Sequence, residues 1–170
     1  AIGQSPVTTL GTITETIGEK KYTQTSRDSK TYARSGTTVT VTDTAHGLIV
    51  GDAVTVDFTS GTATDGEYTV ISVPSANTFT VTDTATGTTS GNVDYRKRNY
   101  AIVSSFTQDS EIKCSLDGTV STAFSISGTD VVFTTAPASG VVIRIYRERE
   151  IANTLANPEV DFIYKLLTEV

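Results

Sequence analysis

Val39 and Val41 alternate with threonines. The same two-residue period returns at Val54, Val56 and Phe58, at Phe79 and Val81, at Ile112, Cys114 and Leu116, at Phe124 and Ile126, and at Val141, Ile143 and Ile145. In an extended chain successive side chains point to opposite faces, so this period predicts half-buried strands. Between the runs stand turn formers: Ser60-Gly61, Asp65-Gly66, Pro74 to Asn77, Asp117-Gly118, Ser127 to Asp130 and Thr135 to Gly140. Gly, Asp, Asn and Pro favour the backbone angles that reverse a chain. Of the 170 residues 33 are Thr, a β-branched residue, while strong helix formers are few. The sequence therefore predicts an all-β protein and excludes a helical bundle, a coiled coil and a doubly wound α/β enzyme. At this length there is room for one domain or two small ones, with a modest core and little space for a large cleft.

The punctuation divides the chain into two small antiparallel β modules, barrel-like or sandwich-like. Residues 1–34 read as an N-terminal arm or edge strand, anchored by Ile13, Ile17 and Tyr22. Residues 35–93 read as a Thr-rich module of about five short strands, one of them running from Tyr68 through Ile71 to Val73. Residues 94–150 read as an antiparallel meander with a polar outer face. Residues 151–170 read as a C-terminal docking segment containing a short helix from 157. There Asn157 caps, Pro158 takes the first helical position, Glu159 meets the positive helix end, and Ile163, Leu166, Leu167 and Val170 share one face. Thr40 to Ala45 recurs identically as Thr80 to Ala85. The residues after the two copies differ, so they read as two similar strand endings within one module, not as an array.

Little in the sequence supports catalysis or metal binding. His46 is the one histidine and Cys114 the one cysteine. His46 lies in Ala45-His46-Gly47-Leu48, where a turn histidine bonding local backbone is the expectation. Cys114 lies on the apolar face of a strand, where a buried thiol is expected. No serine sits in a nucleophile elbow, and zinc would require more Cys and His. Asp43, Asp52, Asp57, Asp65 and Asp83 lie near turns without the spacing of a calcium loop. No enzyme activity, cofactor or metal is expected. The formal charge of -6 argues against nucleic acid, and the cluster Arg96-Lys97-Arg98 reads as a linker or as a surface pairing with carboxylates. No run is long enough for a membrane helix, and no signal peptide is visible. The start Ala1-Ile2-Gly3 is what removal of an initiator Met leaves. The chain reads as one made inside a cell.

Two resemblances are specific. The stretch Thr37 to Val93 carries Ala45-His46-Gly47-Leu48, Gly51-Asp52, Gly66-Glu67-Tyr68-Thr69-Val70, Val73-Pro74, Asn77 to Val81 and Thr88 to Val93. It resembles a small β module of tailed-phage virion proteins. Residues 103–162 carry Leu116-Asp117-Gly118, Phe124 to Gly128, Val131-Val132-Phe133, Ala136 to Gly140, Ile143 to Arg147 and Asn157 to Phe162. These resemble the N-terminal, virion-attaching domain of podovirus tail-fibre proteins. After Phe162 that family continues into a long fibre, whereas here Ile163-Tyr164-Lys165-Leu166-Leu167 follows.

The resemblances imply a structural protein of the virion, made in the host cytoplasm. Its role would be in the tail or neck, attaching or joining parts through contacts with other phage proteins. They also suggest a homo-oligomer, with trimers common among the fibre relatives, and no membrane or nucleic-acid partner. The interface candidates are Arg144, Tyr146, Arg147, Phe162, Ile163, Leu166, Leu167 and Val170, because Arg, Tyr and exposed apolar stripes anchor protein interfaces. The alternative is a capsid decoration protein or a carbohydrate-binding adhesin. That reading requires Tyr22, Tyr32, Tyr68, Tyr95 and Tyr100 to gather on one loop face.

Overall fold

A computed structural model describes residues 13–102 and 112–151. Over these residues the chain forms fourteen strands and no helix. The helix expected from residue 157, with Phe162, Ile163, Leu166, Leu167 and Val170, lies outside the described residues.

The strands are β1 (Ile13–Thr23), β2 (Ser26–Ser35), β3 (Thr38–Thr42), β4 (Ala53–Asp57), β5 (Gly66–Thr69), β6 (Ser72–Ser75) and β7 (Thr78–Thr82). They continue with β8 (Thr89–Lys97), β9 (Asn99–Ala101), β10 (Ile112–Leu116), β11 (Thr119–Ser121), β12 (Phe124–Ser127), β13 (Asp130–Phe133) and β14 (Val142–Ile151). Seven of them form one antiparallel sheet in the order β5-β4-β8-β2-β3-β7-β6. The alternation sets its faces: Tyr32, Val39, Val41, Val54, Val56, Phe79, Val81 and Val93 point inward and are almost fully buried. Each such side chain contributes roughly 1.5–3 kcal/mol before ordering costs. The sheet curls around this core. Its two edge strands, β5 and β6, are consecutive in sequence, and the link between them bonds to both sides. Val70 N–H donates to Asp52 O at 2.8 Å, and Ile71 N–H donates to Thr80 O at 2.9 Å. The single strand expected from Tyr68 to Val73 is therefore two strands, broken at Val70-Ile71 where the chain passes from one edge to the other. This crossing protects the edges from pairing with another chain.

The repeated hexapeptide acquires a geometric meaning. β3 and β7 are antiparallel neighbours, with Thr40 opposite Thr80 and Val39 opposite Val81. The two copies are thus related by a local two-fold axis. Asp43 N–H donates to Asn77 O at 2.9 Å at one end of the pair, and Asp83 N–H donates to Thr37 O at 2.8 Å at the other.

The second unit is a sandwich. One sheet has the order β1-β14-β10-β11 and the other β12-β13-β9. This replaces the single meander expected for residues 94–150. A meander would leave the apolar faces of β10 and β14 open, whereas folding β12 and β13 across them buries Ile112, Cys114, Val131, Phe133, Ile143 and Ile145 together. The hairpin β10-β11 turns at Asp117-Gly118, whose φ values of 48° and 85° fit a type I′ turn. β1 pairs with β14 from Ile13↔Ile151 to Thr23↔Val142, and the register slips at Gly18, where a φ of 57° makes a bulge.

Residues 1–34, expected as an arm or edge strand, contribute two different elements. β1 lies at the edge of the sandwich, while β2 lies between β8 and β3 inside the seven-stranded sheet. Burial pushes the Cys114 thiol up to about 12. Since only the thiolate reacts, Cys114 should resist maleimide labelling at pH 8 in the native state and label at the rate of global unfolding, measured by mass spectrometry in rising urea. Fast native labelling would show an open sandwich.

Candidate functional site

The chain passes between the two units twice, through Gln24-Thr25 between β1 and β2 and through Arg98 between β8 and β9. The cluster Arg96-Lys97-Arg98 sits at this join, and two of its cations are paired with carboxylates. Lys97 Nζ lies 2.8 Å from Asp52 Oδ1 and Arg98 Nε lies 2.5 Å from Glu67 Oε2. Arg98 also donates to the Phe133 and Thr134 carbonyls at 3.0 Å, tying β8 to the sandwich. Arg96 lines a small cavity with Asp28, Asp57 and Asp94.

Asn99 is the centre of the join and is buried. Its Oδ1 accepts Ala53 N–H at 3.0 Å, while Nδ2 donates to Asp52 at 3.0 Å and to Asp130 at 2.6 Å. One amide thus engages β4, the turn before it and β13. Gln24, between β1 and β2, does the same from the other side. Its Nε2 donates to Lys97 O at 3.0 Å, its Oε1 accepts the Tyr100 hydroxyl, and its carbonyl accepts Gly140 N–H. Burial holds the Tyr100 phenol well above its ordinary range, so it stays a neutral donor.

Beside this join the buried Asp43 collects three partners. Tyr95 donates to it at 2.7 Å, and Lys30 and Arg27 lie at 3.3 and 3.5 Å. Burial, and then the bond to Asp43, raises the Tyr95 phenol above its usual range. His46 packs on Phe79 with ring centres 5.3 Å apart. Its Nδ1 accepts Leu48 N–H at 3.0 Å, a bond within its own turn, and its Nε2 lies 3.2 Å from Ser75 O in β6, 29 residues on. Between the two units a crevice of about 200 Å³ opens, lined in part by Gln24, Arg27, His46, Leu48, Lys97 and Tyr100.

Asp83, the two-fold mate of Asp43, is buried against Arg34, and its carboxylate also accepts Thr64 N–H at 3.2 Å and Ala85 N–H at 3.0 Å. Asp65 accepts Phe58 N–H at 2.6 Å. Among the described residues no three His, Cys, Asp or Glu side chains are placed to hold a metal ion, and no helix is long and apolar enough to cross a membrane.

Two interface candidates of β14, Arg144 and Tyr146, lie on the face of the strand opposite Ile143 and Ile145, whereas Arg147 shares the face of those two core residues. Arg144 pairs with Glu19, and its guanidinium stands 5.5 Å over the ring of Tyr146, which is buried. Arg147 is half-buried. The tyrosines meet in pairs inside the cores, not on one loop face. Tyr32 packs on Phe58 at 4.6 Å, Tyr95 on Phe79 at 5.0 Å and Tyr22 on Tyr100 at 5.1 Å. Sequence reasoning missed Gln24, Arg34 and Asn99. For Arg34 a signal existed: it shares the inward face of β2 with Tyr32, and a charge on that face demands a counter-ion.

No protein-family model matches the chain, and comparison with curated proteins finds no match. Among solved structures, the phage phi92 endosialidase is similar over 47% of this chain at 30% sequence identity, with a TM-score of 0.35. The match spans 12% of that protein's chain, so the likeness is partial, and it is to a phage protein.

Proposed function

We propose that this chain is a non-catalytic β module of a tailed-phage particle, mounted in the tail, neck or fibre region by contacts with other virion proteins. The observation that carries this reading is the ribbon of β1 and β14. Ile13 lies opposite Ile151, so the outer ends of β1 and β14, beyond the last pair with β10 at Arg147, run side by side at one end of the sandwich. Two strand ends that reach past the sandwich together suit attachment to a larger assembly at a single point. The resemblance of residues 103–162 to virion-attaching domains supports the same role, as does the ionic outer face around Arg144 and Tyr146.

A second reading is a carbohydrate-binding adhesin, and it accords better with a partial likeness to a protein named an endosialidase. With four of the five tyrosines buried, its contact surface would be built from threonines, carboxylates and cations. Two measurements separate the readings. Mass spectrometry and electron microscopy of purified particles should find the chain at a fixed tail or fibre position. An array of bacterial surface glycans should capture the isolated chain only if the adhesin reading holds. A chain absent from particles and blank on the array would overturn both.

A further inference from the structure

The two β units treat their sheet edges differently. In the seven-stranded sheet the chain crosses from one edge strand to the other at Val70-Ile71. In the sandwich the edge strands β9, β11 and β12 are only three or four residues long. Such short edges offer little to a further strand. β1 is the exception: it has 11 residues, borders its sheet and pairs only with β14. Among the described residues no backbone group bonds to its other side, and Glu15, Thr16, Gly18, Glu19, Lys21 and Thr23 are exposed along it. On that side alternate residues turn an N–H and a C=O outward, a row that another strand can complete.

The bulge at Gly18 decides which strand fits. Residues five apart on a regular strand face opposite ways. In β1 the slipped register sets Glu15 opposite Arg149 and Lys20 opposite Ile145, two positions on one face of β14, so Glu15 and Lys20 share a face as well. Lys20 is half-buried and has no ion-pair partner among the described residues. Two β1 strands laid antiparallel, about a two-fold axis between Ile17 and Gly18, place Glu15 of each copy opposite Lys20 of the other. Laid parallel in register, they would set Glu against Glu and Lys against Lys, which is destabilising. β1 is thus complementary to itself in one orientation, as a closed two-fold contact requires.

We propose that a second copy of this chain docks on β1, antiparallel, and joins the two four-stranded sheets into one continuous sheet. The contact is independent of whether the chain serves attachment or adhesion.

The test is sedimentation of the full chain over a range of concentrations. Wild type should pass reversibly from monomer to dimer, and the β1 amides should exchange more slowly with deuterium as the dimer fills. Glu15→Lys and Lys20→Glu each bring like charges together twice, and each should weaken the dimer about 100-fold or more. Urea titration of each variant monomer should show only the small change of a surface substitution. Mixed one to one, the two variants regain opposite charges at both contacts. The mixture should restore a dimer with one copy of each, read by native mass spectrometry with one variant isotopically labelled. Four results would overturn the proposal: a monomer at every concentration, a trimer or an open-ended assembly, variants that dimerise like wild type, or a mixture that stays monomeric.

Discussion

Asp83→Ala is expected to cost about 3–5 kcal/mol of unfolding free energy, because it leaves a buried guanidinium without its counter-charge. Arg34 is only 5% exposed and pairs with Asp83, and the same carboxylate accepts Thr64 N–H and Ala85 N–H. The substitution therefore strands one cation and two backbone donors at once. Urea titration reads the loss. A double-mutant cycle with Arg34→Met isolates the pair: the double variant should be less destabilised than the sum of the singles by more than about 1 kcal/mol. Additive losses would show that the pair is not coupled.

The same carboxylate makes stability acid-sensitive. Burial alone would raise Asp83, but the Ala85 and Thr64 N–H groups and Arg34 outweigh it and hold the group at about 2. A folded value below the unfolded one means that the ionised form is favoured by folding. Its contribution is complete above about pH 4 and is lost as pH falls from there towards 2. Asp83→Ala should flatten that limb of the stability curve, and an unchanged limb would assign the acid sensitivity to other carboxylates.

Asn99→Leu is expected to cost about 2–4 kcal/mol, because it leaves Ala53 N–H without an acceptor and the Asp52 and Asp130 carboxylates without their shared donor. The energetic loss falls on the join, so the transition should separate into two steps, one for each β unit. Tyr95, in the seven-stranded sheet, and Tyr100, in the sandwich, are the natural reporters, each observed through its own ring resonances. Asn99→Asp should be at least as damaging at neutral pH, since it brings a third carboxylate to Asp52 and Asp130, and acid should partly restore it. A single cooperative transition in Asn99→Leu, with little loss, would show that Gln24 and Arg98 hold the units together without Asn99.

Along the chain, the alternation determined which side chain faces which way. Val39, Val41, Phe79, Val81, Ile143 and Ile145 were legible as core from period two alone, and all are essentially fully buried. Asp117-Gly118 declared its hairpin, and His46 its bond to Leu48 N–H, because both depend on residues within a few positions; the contact of His46 with Ser75 O, 29 residues on, was not legible. The partners of strands were not legible. Nothing near Ser26–Ser35 states that β2 lies between β8 and β3, and nothing in Phe124–Phe133 states that this hairpin crosses over β10 and β14. Alternation gives a face but no neighbour, and several pairings satisfy the same pattern.

The candidate site escaped the sequence for a related reason. Arg34 and Asp83 are 49 residues apart, and Asn99 reaches Asp52 across 47. A polar residue on an inward face reads as an error until its partner is in place. The sequence by itself determined Thr-rich strands, each with an apolar and a polar face, and the turns between them. Only the tertiary structure decided that there are two cores, and that they are locked by buried amides and ion pairs. Hydrophobic burial is set by local composition, whereas the satisfaction of a buried charge depends on which distant segment folds against it.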